Sequence, residues 1–349
     1  MILLASPPLL SSGAALPVPL LPHPQAQVQA DLALHGWCDS VGIPVSPSVR
    51  LRTTPESVAG RGVFSVLPLR EGEVVARIPT ACVLHPENAA GAFPAVAEEL
   101  GRARAAAASG GGEGGSGGGS RRRDGFRRRI SALWDRAMRR RGATATAVKD
   151  GEEDGGEWQA ELTRYALAAV DEGHPWGEWI SQWNRDDPVH GLFRDNVRAD
   201  DEDAVLGAVG RLREMLPLPG WMFRGALAIR LGRLEAHRSL LGLADDVWTS
   251  EMYSVLGSRA MDLGDGITGV MPFYDMINHS LRPNLSLDCE GEWFELYANC
   301  DVDAGEEIFL CYTKLDDPMT ETNALWALVQ WGIPTPSEDI VDWGSAERR

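Results

Sequence analysis

Strand-like sequence lies toward both ends of this chain and helix-like sequence between them, so any sheet it builds must join segments remote from one another along the backbone. Toward the N-terminus, residues 62–66 and 73–78 read as two strands joined through Leu69-Arg70-Glu71-Gly72, with Pro79 closing the second. A short helix over 31–37 and a turn-rich segment up to Val49 precede them. Toward the C-terminus, residues 286–289, the turn Glu290-Gly291 and residues 293–298 predict a hairpin. Residues 308–311, entered through Asp303-Ala304-Gly305, predict a buried strand that ends on Tyr312. The Gly-Glu turn before apolar residues occurs at both Gly72 and Gly305 and reads as repeated turn chemistry, not as an internal repeat.

The middle of the chain has a different period. Trp158, Leu162, Tyr165, Ala166 and Ala169 share one helical face, with Gly173 as a stop. Trp176, Trp179, Ile180 and Trp183 follow at helical spacing, a stripe that predicts core packing before it predicts a ligand cage. Residues 221–231 and 250–261 continue the helical pattern, and 323–329 read as a last helix ended near Gly332 and Pro334. The expected class is therefore α+β, with short strands in small sheets interrupted by a mainly helical insertion.

Composition sets the outer limits. With 349 residues and 44% hydrophobic content, the chain can bury one substantial core or two modest ones. Residues 1–25 are apolar and rich in proline and serine, without a single lysine or arginine, so they lack the basic start of a secretory signal and the arginines of a transit peptide. Pro7, Pro8, Pro17, Pro19 and Pro22 interrupt them too often for a membrane helix, leaving residues 1–30 as a disordered leader. Residues 109–120 are almost pure glycine and serine and are followed by arginines at 121–123, 127–129 and 139–141, so 101–156 reads as a solvated low-complexity loop. The formal net charge of -17 argues against nucleic acid as a partner. Five cysteines without C-x-x-C spacing, an odd number, point to a reducing compartment such as cytoplasm or plastid and to no structural metal.

Three polar features stand out against this background. Asn278-His279-Ser280 follows the apolar run 271–277, Tyr312 ends a strand, and Gly60-Arg61-Gly62 precedes Val63-Phe64. Each has an ordinary reading taken singly: a capped turn, a structural tyrosine, a bare glycine turn. Together and in this order they resemble the SET-domain protein methyltransferases, in which an Asn-His-Ser segment crosses beside a strand ending in a catalytic tyrosine and an early Gly-x-Gly strand borders S-adenosyl-L-methionine. Pro55-Glu56-Ser57 and Ser258-Arg259-Ala260 extend the resemblance to the branch typified by the Rubisco large-subunit methyltransferase, over residues 32–333 apart from the low-complexity loop.

The resemblance implies a split SET domain, its halves at 31–100 and 250–333 flanking a helical insertion at 157–249, with a tail at 334–349. It implies a cofactor site formed by Gly60, Arg61, Gly62, Arg259, Asp275, Asn278, His279 and Tyr312. Glycines would admit the cofactor to the backbone, Arg259 would clamp its methionine carboxylate, Asn278 with the His279 backbone would hold the amino group and adenine edge, and Asp275 would support the site through hydrogen bonds. Tyr312 would be catalytic and Trp331 would shape the acceptor pocket, with no metal required. The implied activity is protein-lysine N-methylation of a non-histone protein. Histidine methylation and a non-catalytic SET-fold adaptor are the alternatives, with no membrane partner in any of the three. Relatives carry a phenol where Trp331 stands and other residue types at Ala59, Arg61 and Asp262, and they usually continue into a helical substrate-docking domain.

Overall fold

The computed structural model describes residues 33–53, 61–109, 157–183, 198, 200–263, 267–312 and 318–341. The expectations for the leader, for most of the low-complexity loop, and for Gly60, Ala59 and Pro55-Glu56-Ser57 lie outside the described residues. The chain begins with helix α1 (33–40), then strands β1 (Val49–Thr53), β2 (Arg61–Ser65) and β3 (Val74–Pro79). Helices α2 (Pro86–Ala92), α3 (Pro94–Ser109), α4 (Glu157–Asp171), α5 (Pro175–Ile180), α6 (Glu202–Met215), α7 (Gly220–Leu241) and α8 (Val247–Arg259) follow. The strands β4 (Met261–Asp262), β5 (Thr268–Gly269), β6 (Asn278–His279), β7 (Leu285–Glu290), β8 (Trp293–Ala298) and β9 (Glu307–Leu310) return before helix α9 (Glu321–Trp331). The class is α+β, with strands at the two ends of the chain and helices between.

The remote strands do pair. One sheet has the order β1-β2-β9-β6 and a second has the order β3-β8-β7, so each mixes strands from before and after the helical middle. The hairpin β7–β8 turns at Gly291, whose φ of 62° suits a residue without Cβ. Strand β1 was not expected. Its burial alternates, with Val49 and Leu51 inside, but the Pro44, Ser46, Pro47 and Ser48 ahead of it gave the segment a turn-like composition. Helix α3 runs on to Ser109, past the boundary at 100 set for the loop, because its alanine-rich end favours helix more strongly than the glycines beyond it favour coil. Across the low-complexity interval, Arg104 of α3 meets Glu161 of α4 at 2.7 Å and Glu157 at 3.6 Å.

Three helices and its own N-cap fix α8, whose last turn carries Arg259. Gln159 of α4 donates to the Tyr253 carbonyl at 2.7 Å, and His237 of α7 meets the Tyr253 hydroxyl at 2.9 Å. The buried Arg230 of α7 bonds the Val329 carbonyl of α9 and reaches Ser254 at 3.4 Å, while Gln330 of α9 bonds the Gly257 carbonyl. Asp246 caps the first turn of α8, accepting from the Thr249 amide at 2.7 Å. Polar groups this deep are costly unless bonded, so these contacts specify one orientation of the helix end.

The aromatic stripe is core, as its spacing predicted: Trp176, Trp179, Ile180 and Trp183 are all buried. It is brought inward by a close approach of α5 to the end of α4. A Cβ on Gly177 would fall 2.7 Å from the Ala169 carbonyl carbon and 2.8 Å from Val170 Cα, with the Ala169 oxygen nearer still. Those are backbone atoms and cannot swing aside. Gly177→Ala is therefore expected to destabilise the protein by about 2 to 3 kcal/mol, checked by urea unfolding against wild type.

Candidate functional site

Strand β9 lies in the middle of the first sheet, and what it holds on either side defines the site. It runs antiparallel to β2, with Val63 opposite Ile308, and parallel to β6, with Asn278 opposite Phe309 and His279 opposite Leu310. The three stretches singled out in the sequence are thereby neighbours. The Asn278 amide nitrogen donates to the Arg61 carbonyl at 2.8 Å and to the Glu307 carboxylate at 2.6 Å, which accounts for both of its hydrogens. This pair lies across the face of Gly62. A Cβ there would come 2.8 Å from Asn278 Nδ2 and would overlap the Glu307 carboxylate. Those neighbours are side-chain ends, so a larger residue here would displace the Asn278–Glu307 pair.

Tyr312 stands two residues beyond the end of β9. Its backbone amide donates to His279 Nδ1 at 3.0 Å, and its hydroxyl donates to the Ile277 carbonyl. The His279 and Tyr312 rings are 5.3 Å apart, and the Trp331 indole meets Tyr312 edge-on at 6.1 Å. Desolvation pushes the Tyr312 phenol well above the usual tyrosine range, with Arg259 opposing, so it is neutral at physiological pH. Burial lowers the His279 imidazole, and acceptance at Nδ1 puts its remaining proton on Nε2.

A second cluster adjoins the first. Asp275 is buried, and its carboxylate accepts from the Trp179 indole at 3.3 Å and pairs with Arg259 Nη1 at 3.3 Å. Arg259 Nη1 also donates to the Asp275 carbonyl at 2.5 Å, and its guanidinium sits 5.5 Å from the centre of the Trp183 ring. Arg259 Nε has no hydrogen-bond partner among the described residues. Arg61, whose Nη1 bonds the Gln182 carbonyl at 2.6 Å, adds a second positive charge felt by Asp275. Burial nonetheless outweighs both arginines and raises Asp275 to about 6. The chain enters this turn through Phe273, a buried residue with φ 66°, a conformation that costs a non-glycine residue on the order of 1 to 3 kcal/mol.

Chemically, the Arg259 and Arg61 guanidinium groups on either side of Asp275 offer donors suited to an anionic group, with the Glu307 carboxylate farther along β9. A neutral phenol, a neutral imidazole and an indole edge border it. Among the described residues no group of three or more His, Cys, Asp or Glu side chains could hold a metal ion.

The family model described as SET domain matches residues 60–313. The chain belongs to the SET-domain family. No curated protein sequence matches it. Among solved structures, the SET domain of LSMT bound to lysine and AdoHcy is similar at a TM-score of 0.46 and 12% identity, over 89% of this chain and 58% of that one. Rubisco LSMT bound to AdoMet is similar at a TM-score of 0.44 and 13% identity, over 88% of this chain and 57% of that one. The chain thus spans less than two thirds of the length of these proteins.

In this SET domain, Arg61, Gly62, Asn278, His279, Tyr312 and Trp331 gather around β9, while Arg259 and Asp275 form the adjoining cluster; Gly60 lies outside the described residues. From the sequence, Glu307 has no assigned role in the site, and Trp179 and Trp183 only that of core packing. Glu307 could have been found as the second acid of Gly305-Glu306-Glu307, set by strand alternation on the face of Gly62. Arg259, expected as a clamp for a ligand, is already partly engaged by Asp275.

The groups facing Asp275 include Arg259, Arg61, Trp179 and Trp183, and its charge is felt at Cys38 and Tyr312. A carboxyl whose folded value lies above its unfolded value binds the extra proton only in the folded state between the two, so stability falls as pH rises through that window. With Asp275 at about 6 against an ordinary 3.8, wild type should lose stability relative to Asp275→Asn between about pH 4 and pH 6.5, by up to roughly 3 kcal/mol. Paired urea titrations across that range check it; parallel pH profiles would refute it.

Proposed function

We propose that this chain is an S-adenosylmethionine-dependent protein methyltransferase of the Rubisco large-subunit methyltransferase-like branch, acting on lysine in a non-histone protein. One observation carries the reading: the Tyr312 hydroxyl, seated on the Ile277 carbonyl, shares a site with Asn278, His279 and the Arg259 cluster. SET-domain membership and the lysine- and AdoMet-bound neighbours agree with it.

The residues present fit the cofactor. Its amino-acid end carries a carboxylate and an ammonium. Arg259, with Nε lacking a partner among the described residues, and Arg61 offer positive charge to the carboxylate. Asn278, its amide nitrogen bonded to the Arg61 carbonyl and the Glu307 carboxylate, stands beside Arg61 where it can help hold the amino-acid end. When bound, S-adenosylmethionine supplies an electrophilic methyl carbon on a sulfonium.

The residues then have distinct tasks. A lysine amine has an ordinary pKa of ~10.4 and must shed a proton before it can attack. Tyr312 is no base for that proton, since burial keeps it a neutral phenol. Because its O–H is spent on Ile277, its oxygen accepts from the amine and directs the nitrogen lone pair away from the phenol. The His279 and Trp331 rings wall the phenol and exclude water, and desolvation near positive charge favours the neutral amine. Positioning and fixed dipoles supply the catalysis.

A histidine acceptor is the second reading, favoured by the Trp331 indole standing edge-on to Tyr312, which gives the pocket a flat aromatic side. Labelled methyl transfer to a lysate of the source organism, followed by mass spectrometry of the modified residue, separates lysine from histidine. A well-folded protein with no affinity for S-adenosylmethionine would instead be a non-catalytic adaptor.

Tyr312→Phe should lower methyl transfer by about 100-fold or more while leaving cofactor affinity nearly unchanged. Equal turnover by mutant and wild type would remove Tyr312 from the mechanism. Arg259→Ala should weaken cofactor binding by roughly tenfold or more, measured by calorimetry, and an unaltered dissociation constant would count against the clamp.

A further inference from the structure

The aromatic stripe 176–183 was absorbed into the core, yet its Trp179 makes a contact that packing does not require. The ring is fully buried, stacked on Trp37 at 5.8 Å and edge-on to Trp183 at 5.2 Å. Its N–H points to Asp275 Oδ1 at 3.3 Å, while the other oxygen of the same carboxylate pairs with Arg259. The indole therefore touches one side of an anion whose opposite side holds the cation. Two residues beyond the short helix, Gln182 offers its carbonyl to Arg61, and Trp183 lies under the Arg259 guanidinium. One turn of the helical middle thus touches both arginines of the site.

We propose that Trp179 is a positioning residue: its indole N–H fixes the Asp275 carboxylate, which in turn holds the Arg259 guanidinium in the orientation that receives the cofactor's carboxylate. The proposal rests on the reading of this site as a methyltransferase cofactor site. A carboxylate in a desolvated pocket has two oxygens and can rotate about its last bond; a donor on one oxygen locks the other toward Arg259. The Asp275 main-chain carbonyl also accepts from Arg259 Nη1 at 2.5 Å, so without the indole donor Arg259 keeps that anchor, while the carboxylate is freer to turn and the side-chain contact that sets the angle of the guanidinium weakens. Trp179 touches neither substrate nor cofactor in this scheme, and its influence is entirely through Asp275. The helical middle then contributes to specificity of the site as well as to the core, since the orienting N–H lies on an element outside the strands that carry Asn278 and Tyr312.

The test is calorimetry with S-adenosylhomocysteine on wild type, Trp179→Phe, Asp275→Asn and the double variant, from pH 5 to pH 8. Phenylalanine keeps an aromatic ring in the stack and deletes only the donor and one ring. Trp179→Phe should raise the dissociation constant by roughly tenfold. Its loss of affinity on acidification should begin at higher pH than in wild type, because the ionised carboxylate has lost a hydrogen bond. In the Asp275→Asn background the same substitution should have little further effect. A purely structural tryptophan would lower stability and leave the pH profile and the coupling unmoved. Wild-type affinity in Trp179→Phe at every pH, or strict additivity in the double variant, overturns the inference alone. Absence of binding by folded wild type overturns the cofactor reading and this inference with it. Should Trp179→Phe fail to fold, the indole N–H resonance assigned to Trp179 in wild type decides: it must titrate with pH and cease to do so in Asp275→Asn, and its failure to titrate is a refutation.

Discussion

The site depends on the placement of a four-residue strand. Glu307–Leu310 pairs on one side with Arg61–Ser65 and on the other with Asn278–His279, antiparallel in the first case and parallel in the second. Parallel pairing cannot be made by a tight turn, so the chain between β6 and β9 must leave the sheet, and it does so as the hairpin β7–β8 in another sheet. Shifting β9 by one residue would turn Glu307 away from Gly62 and carry the start of the Tyr312 segment to the opposite face. Register in this short ladder sets the relation of Asn278, Gly62 and Tyr312 to one another.

Next to that ladder, electrostatics and burial oppose each other. Asp275 is withdrawn from water far enough to raise its pKa in spite of two nearby guanidinium groups. Its retention is costly in stability, as for most buried ion pairs, and the strained backbone at Phe273 adds to the cost. The helices make the arrangement tenable. Gln159, Arg230, His237 and Gln330 fasten α8 from three sides, so Arg259 arrives beside Asp275 on a helix whose position is specified by buried hydrogen bonds.

Much of this was legible in the sequence, though unevenly. Asn278-His279-Ser280, Tyr312 and the glycines near Gly62 form an ordered set, and the hairpin at Gly291 and helix stops at Gly173 and Gly332 announce themselves through residue type. Direction and partner choice were hidden. The period of the stripe marks Trp179 as inward-facing but cannot say that its N–H meets Asp275, because the two are 96 positions apart. Arg259 reads as a cation available to a ligand, while the carboxylate that engages it sits on a turn after an intervening pair of strands. Strand β1 was masked by the prolines and serines ahead of it, since local composition outweighed a short two-residue alternation.

The ion pairs from Arg104 to Glu161 and Glu157 have a consequence for how this protein tolerates change. They hold the later turns of one helix beside the start of another, so the two described flanks of the glycine- and arginine-rich interval lie close together. Closing such a span costs little more when it is long than when it is short, ~0.6 kcal/mol for each doubling. An insertion joined to these two helices would meet flanks that are already held together, so the fold offers there a point for grafting a tag or a foreign domain.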